Sequence, residues 1–348
     1  MSNNSKQFSP KAIEFIKRLT NIFDMDSIRI IDLLSNRSIK SLRINRIKNT
    51  DSTSSILGFL KQQGVNAQKL GWYADAILFP SNQTKSVVDT DLYRGGDIYI
   101  QNPSSYLPAF ALLIGTQGGA FLDVCSAPGG KGSHFATLQS GCQRLVLNEP
   151  DPTRNKQLRQ VLGVLGVKHN LTITNRDGRQ LTKYFQKECF DTILLDVECS
   201  GEAGINFASK RPMAGWSIAK IVELSNLQLK MLTQAYEILA PGGVLVYSTC
   251  TFSPEENEGV ISRFLERSQD CIVQKIRFKQ ERSTAGLESW HGTQFNSEVK
   301  NSLRVLPSSY MEGFFICVLR KPTEDLGSNK QLRDEVVDLG YLMKRATP

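Results

Sequence analysis

The sequence predicts an α/β protein: an open sheet of mostly parallel strands, preceded by a small basic α+β domain. Three observations carry this. From residue 120 onward, short apolar strand-like runs alternate with amphipathic stretches of helical period, the pattern of a doubly wound parallel sheet. The first of those runs, Phe121-Leu122-Asp123-Val124, leads into a tight Pro128-Gly129-Gly130 turn and then a helix start at Lys131-Gly132-Ser133. And 348 residues are enough for two domains, one of them with a full α/β core.

In chain order, Ser9-Pro10 caps an amphipathic helix that runs to about Thr20. Residues 38–45 predict a strand with a basic edge at Lys40, Arg43 and Arg46, and residues 52–64 a helix closed by Gly64. Trp72-Tyr73 and residues 77–79 read as a strand pair packed on it. Gly95-Gly96-Asp97 marks a turn and a domain boundary, which divides the chain into a basic domain at 1–97, a larger domain at 98–322 and a polar tail at 323–348. In the larger domain the expected strands are 121–125, 144–148, 171–175, 191–196 and 244–248, with late strands at 271–278 and 313–320. Asp151-Pro152 and Ser217 each cap a helix, the second ended by Pro241-Gly242-Gly243. Ser253-Pro254-Glu255-Glu256 reads as a capping box opening the next helix.

Composition narrows the function classes. Hydrophobic residues make up 40% and charged residues 22%, ordinary for a globular protein, and no apolar run approaches the ~20 residues that span a bilayer. The first fifteen residues contain no apolar leader, and seven cysteines without scaffold spacing suit reduced thiols and a cytoplasmic location. No Cys/His cluster has metal-ligand spacing, and with three histidines in the chain imidazole catalysis is not favoured. The net charge of +8 suits a polyanionic partner; ten Lys or Arg against four Asp or Glu fall in residues 1–50.

Ligands of open α/β sheets sit beyond the carboxyl ends of the strands. The first strand end supplies the glycine turn, whose free backbone N–H groups and helix dipole favour an anionic or polar ligand. It has neither the G-x-x-x-x-G-K-[ST] spacing nor G-x-G-x-x-G, so alone it reads equally as a plain connection. The second end carries Glu149, a carboxylate able to accept both ribose hydroxyls of an adenosine. The third carries Asp177-Gly178, placed for an adenine edge; the fourth, Asp196 and then Cys199; the fifth, Cys250 between two threonines. Any one acid here is equally a cap or turn residue; the succession fits an adenosine cofactor with its reactive group near the fourth strand. Free cysteines are usually small buried hydrophobes, and Cys142, Cys189, Cys271 and Cys317 read that way. Cys199 and Cys250 differ, because each follows a strand end facing the cofactor, with Cys250 placed before a helix N-terminus that favours thiolate.

DVCSAPGGK (123–131), LNEPD (147–151), DG (177–178), LLDVECSGEAG (194–204) and VYSTCTFSPEENE (246–258), in this order, resemble the RNA cytosine-5 methyltransferases of the Sun-domain (RsmF-like) family. IYIQNPSSYLPA (98–109), GFFICVLRK (313–321), SIKSLRIN (38–45) and GWYADAILF (71–79) extend the likeness over most of 38–321. The resemblance implies a Rossmann-like methyltransferase sheet, mostly parallel with a late antiparallel strand, and S-adenosylmethionine as cofactor. It implies that Cys125, Ser126, Ala127, Pro128, Gly129, Gly130, Lys131, Glu149, Asp177 and Asp196 line the cofactor site, with Arg154 a further candidate that reads equally as a helix-surface charge. By the same analogy Cys250 attacks carbon 6 of cytosine and Cys199 assists release. Asp196 contacts the ring, and Lys131 sits beside it. The partner is RNA, either rRNA or tRNA, gripped through phosphates by the basic domain; a monomer without a metal is expected. Two positions depart from the family pattern: Glu198 stands where proline usually precedes the fourth-strand cysteine, and Ser308 where histidine is common. Glu198 leaves the Cys199 loop without the fixed φ of a proline, and it motivates the alternative of a catalytically impaired RNA-binding protein that keeps the fold.

Overall fold

The computed structural model describes residues 8–115, 118–139 and 141–346. Residues 1–7, part of the stretch read as having no apolar leader, lie outside the described residues. The central feature is a ten-stranded sheet. Its parallel part runs in the spatial order Leu239–Thr249, Phe190–Asp196, Ala120–Asp123, Arg144–Asn148, Leu171–Thr174. The chain winds one way from the Ala120–Asp123 strand through the next two strands, then returns to its other side. The switch point therefore lies beside the glycine turn, where a doubly wound sheet opens a crevice. Phe314–Arg320 lies antiparallel to Leu239–Thr249 and carries Ile272–Arg277 and Leu303–Val305, both antiparallel to it. The expected late antiparallel strand is thus the hinge of a larger antiparallel extension.

The parallel strands are apolar on both faces because both are covered. Phe121, Leu145, Leu147, Val244 and Ile316 point to one core, with Phe110, Phe135 and Leu158. Leu122, Val146, Ile193, Leu195, Leu245 and Phe315 point to the other, with Leu232, Tyr236 and Phe264. Helix caps fall where the residue types placed them: the Ser9, Ser52, Asp151 and Ser217 side chains accept the N–H of Ala12, Ser55, Arg154 and Lys220.

Several boundaries differ from expectation. Trp72 and Tyr73 form a turn; the strand pair is Gln68–Lys69 with Ala76–Pro80. Strand Ile98–Ile100 pairs with Ile39–Ile44 in the small four-stranded sheet, so a division at 97/98 cuts through that sheet. Helix Pro10–Phe23 buries Phe15, Ile16 and Leu19 among Ala203, Ile205, Phe207, Trp216 and Phe252, so it packs on the larger domain, not the small sheet. The 217-capped helix ends at Glu237, and Pro241-Gly242-Gly243 bulges out of the following strand, four residues lying opposite Asp191 alone. The residues after 323 are no loose tail: Val336–Asp338 pairs in parallel with Ile272–Arg277, and Leu339 and Met343 enter the core. Periodicity in so polar a stretch is too weak to reveal three buried side chains.

Part of the N-terminal excess of cations is consumed inside the molecule. Arg43 is fully buried, donating to Gln101 Oε1 at 2.9 Å and Ser133 Oγ at 2.6 Å. Arg18 pairs with Glu255 at 2.7 Å and lies over the Trp290 ring, while Arg46 pairs with Asp75. Lys11, Lys17, Arg29, Lys40 and Lys48 remain exposed.

One ion pair is wholly internal. Arg304 and Glu258 pair bidentately with side chains 3% and 0% exposed, and Arg304 Nη1 also donates to Phe252 O at 2.9 Å. Arg304→Leu leaves Glu258 as an uncompensated buried charge, so it is expected to cost about 3–5 kcal/mol, read as a lower urea midpoint at unchanged slope.

Candidate functional site

The cleft at the switch point has a volume of about 540 Å³ and is walled by strand ends. Cys125, Ala127, Glu149, Arg154, Asp177, Asp196, Cys199 and Cys250, eight of the expected site residues, all line it. Ser126, Pro128, Gly130 and Lys131 line a smaller adjoining cleft, and Cys125, Ala127 and Asp196 face both. Gly129 faces neither. It takes φ +112, open to glycine, and a Cβ there would lie 3.0 Å from Leu158 Cδ1, so its role is to let the turn lie against helix Pro152–Leu165. Helix Gly130–Leu138 follows directly, its N-terminus at the cleft.

Glu149 is buried, with Oε2 accepting from Ala127 N at 3.4 Å and Oε1 from Asp151 N at 3.1 Å. A carboxylate offers about four acceptor positions, so two are left for a pair of vicinal hydroxyls. Arg154 is more than a surface charge: Nη2 donates to Ala127 O at 3.0 Å and stands 3.7 Å from Glu149 Oε2, tying the turn to the acid. Asp177 is committed differently from expectation. It caps the helical turn Gly178–Lys183 and is gripped by Arg179 at 2.7 Å, whose hydrogen bonds pull its carboxyl below the usual range; at the cleft wall this is an ion pair, not a free acid. The acid, the turn and the room between them fit an adenosine-bearing group.

At the other end, Lys131 Nζ sits 2.7 Å from Asp196 Oδ2, and Ser248 Oγ donates to Asp196 Oδ1 at 2.7 Å. Burial works against the ammonium, but Asp196 outweighs it and the Lys131 pKa is raised, so it is a fixed cation. Cys199 Sγ and Cys250 Sγ are 3.4 Å apart. The thiol pair splits: the hydrogen bond from Cys199 lowers Cys250, helped by the Lys131 charge, while the same contact and burial raise Cys199. Cys250 is thus held below Cys199. The physical cause differs from the sequence reading, because the capping box does not form. The next helix starts at Glu258, eight residues on, and Glu256 turns inward to accept from Ser200 and Gln228. The neighbouring thiol, not a helix dipole, is the main cause that lowers Cys250; the Lys131 charge partly offsets that of Asp196.

Sequence reasoning missed four groups here. Asp123, at the end of the first strand, is 1% exposed with Oδ1 lacking a partner, and burial pushes its carboxyl up to about 7. Glu256, also buried, is pushed up to about 7 by burial against the hydrogen bonds from Ser200 and Gln228. Glu202 accepts from Thr251 Oγ1, Phe252 N, Ser253 Oγ and Trp216 Nε1. Gln228 lies fully buried on a helix face that period alone marks as apolar. A polar residue on such a face is the signal that was available for Gln228. All seven cysteines are free; Cys142, Cys271 and Cys317 are buried and Cys189 half-buried, away from the cleft. Among the described residues no group of three or more acids, histidines or cysteines could hold a metal, and no helix is long and apolar enough to cross a membrane.

A switch-point crevice walled by Glu149, Asp196 and a pair of close thiols, on a Rossmann-like sheet with a late antiparallel strand, places the chain in the methyltransferase fold class. Residues 111–320 match the family described as 16S rRNA methyltransferase RsmB/F, and the chain belongs to that family. It is 33% identical over 298 residues to the ribosomal RNA small subunit methyltransferase F of Aeromonas salmonicida, covering 81% of this chain and 57% of that protein. It is 31% identical over 286 residues to the protein of the same description from Serratia proteamaculans, with the same shares covered. The chain therefore spans little more than half the length of these curated relatives. Among solved structures, a methyltransferase homolog protein from Pyrococcus horikoshii superposes with a TM-score of 0.73 at 27% identity, over 90% of this chain and 100% of that one. NSun6 from the same organism shares the fold, with a TM-score of 0.72 at 19% identity over 89% and 98% of the two chains.

Proposed function

We propose that this protein transfers a methyl group to carbon 5 of a cytosine in RNA of the small ribosomal subunit, through a covalent bond between Cys250 and carbon 6. The observation that carries the reading is the 3.4 Å pairing of Cys199 and Cys250 on the wall shared with Glu149 and Asp196. When bound, S-adenosylmethionine supplies an electrophilic methyl on a sulfonium.

Carbon 5 of cytosine is too weak a nucleophile to take that methyl unaided. The Cys250 thiolate adds to carbon 6, forming an S–C bond, and the displaced electron pair makes the ring an enamine that is nucleophilic at carbon 5. Asp196, oriented by Lys131 and Ser248, holds the N3/amino edge and offsets the charge that develops there. After methylation a base removes the carbon 5 proton, the C5=C6 bond re-forms, and the C–S bond breaks to return the Cys250 thiolate. Once Cys250 is bonded to carbon 6, its charge no longer holds the Cys199 proton; Cys199 gives that proton to solvent, and its thiolate is the base that takes the carbon 5 proton. Carbon 6 is hidden in a stacked helix, so the target cytosine is single-stranded or flipped out. Exposed Lys11, Lys17, Arg29, Lys40 and Lys48 bind phosphates, which makes binding salt-dependent. The free thiols suit the cytoplasm.

The test is to incubate the protein with methyl-labelled cofactor and unmodified small-subunit rRNA, digest the RNA and identify the labelled nucleoside. Label in 5-methylcytidine supports the reading. Label in another nucleoside overturns the carbon 5 chemistry, and RNA binding without label leaves the non-catalytic alternative.

A further inference from the structure

The two thiol-bearing loops are cross-stapled by buried carboxylates. Glu202, three residues after Cys199, accepts from Thr251 Oγ1 at 2.9 Å and Phe252 N at 3.0 Å, and Ala203 N donates to Cys250 O at 3.0 Å. In return Glu256, six residues after Cys250, accepts from Ser200 N at 2.9 Å and from Ser200 Oγ, which also lies 2.7 Å from Thr251 Oγ1. One further side chain completes the set. Gln228, from helix Ile218–Glu237, donates through Nε2 to Glu198 O at 2.9 Å and to Glu256 Oε2 at 2.8 Å, while its Oε1 accepts from Tyr247 OH at 3.3 Å. The backbone is therefore held on both sides of Cys199: the carbonyl before it by Gln228, the N–H after it by Glu256.

Both side chains are 0% exposed, and an amide and a carboxyl in a core cost free energy unless what they bond to matters. Their neighbours on that helix face, Leu229 and Leu232, show what an ordinary core would place there. Glu198 has no ring to fix the loop. We propose that Gln228 and Glu256 form a clamp that positions Cys199 for the elimination step, taking over the constraint that residue 198 does not provide. The clamp acts first on release, because its bonds flank Cys199, whereas Cys250 is held through Glu202 and Ala203 and feels the clamp only through its contact with Cys199.

This rests on the release role given to Cys199 above, and the experiment separates the two. Gln228→Leu keeps the volume and removes both donations; Glu256→Gln is the second variant if the first fails to fold. Each is assayed with Cys199→Ala alongside, by single-turnover methyl transfer and by denaturing gel. The expected result, read above neutral pH where Cys250 ionises without the Cys199 bond, is a first-turnover burst within about threefold of the unaltered protein, followed by an RNA–protein adduct at least about tenfold more abundant. A general loss of stability would instead lower burst and turnover together without adduct, and that outcome overturns the clamp, as does unchanged turnover. Adduct with Cys199→Ala but none with either clamp variant overturns the clamp alone; no adduct with Cys199→Ala overturns the release role itself and the clamp with it.

Discussion

Cys250→Ala is expected to abolish methyl transfer to RNA, by about a thousandfold or more, while cofactor affinity changes by less than about threefold. The separation follows from the cleft. Cys250 stands at the end with Asp196 and Cys199, whereas Glu149 and the turn that Arg154 ties to it form the other end. Removing the sulfur takes away the only group that adds to carbon 6 and leaves the cradle whole. Serine in its place is equally inactive, since neither Cys199 nor Lys131 can bring an alcohol to ionise near neutral pH. Calorimetry with S-adenosylhomocysteine and a filter assay with labelled methyl give the two halves of the result. Activity above a hundredth of the unaltered level would remove the covalent step.

Cys199→Ala has the opposite signature. Attack and methylation proceed, and the enzyme is then held on its product, so an RNA-linked band that survives denaturant is expected at close to one equivalent, with turnover reduced by at least about a hundredfold. Loss of the Cys199 S–H also takes away the bond that lowers Cys250, so the thiol ionises at higher pH and the burst slows at neutral pH and recovers as pH rises. Protease digestion should then place the RNA on the peptide containing Cys250. Full turnover without a trapped species would show that another group removes the carbon 5 proton.

Much of this was legible along the chain. Short apolar runs ended by a polar residue at the sheet's carboxyl edge located the five parallel strands to within about five residues; the inner four are buried on both faces, which leaves little freedom in residue type, while Leu171–Thr174 at the edge is only half-buried. The glycine turn, Glu149, Asp196 and the two thiols were readable because turn geometry and strand ends are local. The capping box was misread for a reason just as local. Ser253 and Glu256 have the right spacing, yet Glu202 claims the serine and Ser200 the glutamate, partners about fifty residues away.

Residue order alone carried a doubly wound sheet, a ligand crevice at its strand ends, and two cysteines bound for that crevice. The physical cause that lowers Cys250, a 3.4 Å sulfur–sulfur contact, came only from the folded arrangement. That arrangement also decided that Arg18 and Arg43 serve the fold and not the ligand, and that the last residues belong to the core. Residue type and period report what each side chain prefers. Which charge neutralises which, and at what depth, is set by the crossing of segments far apart in the chain, and no local pattern encodes it.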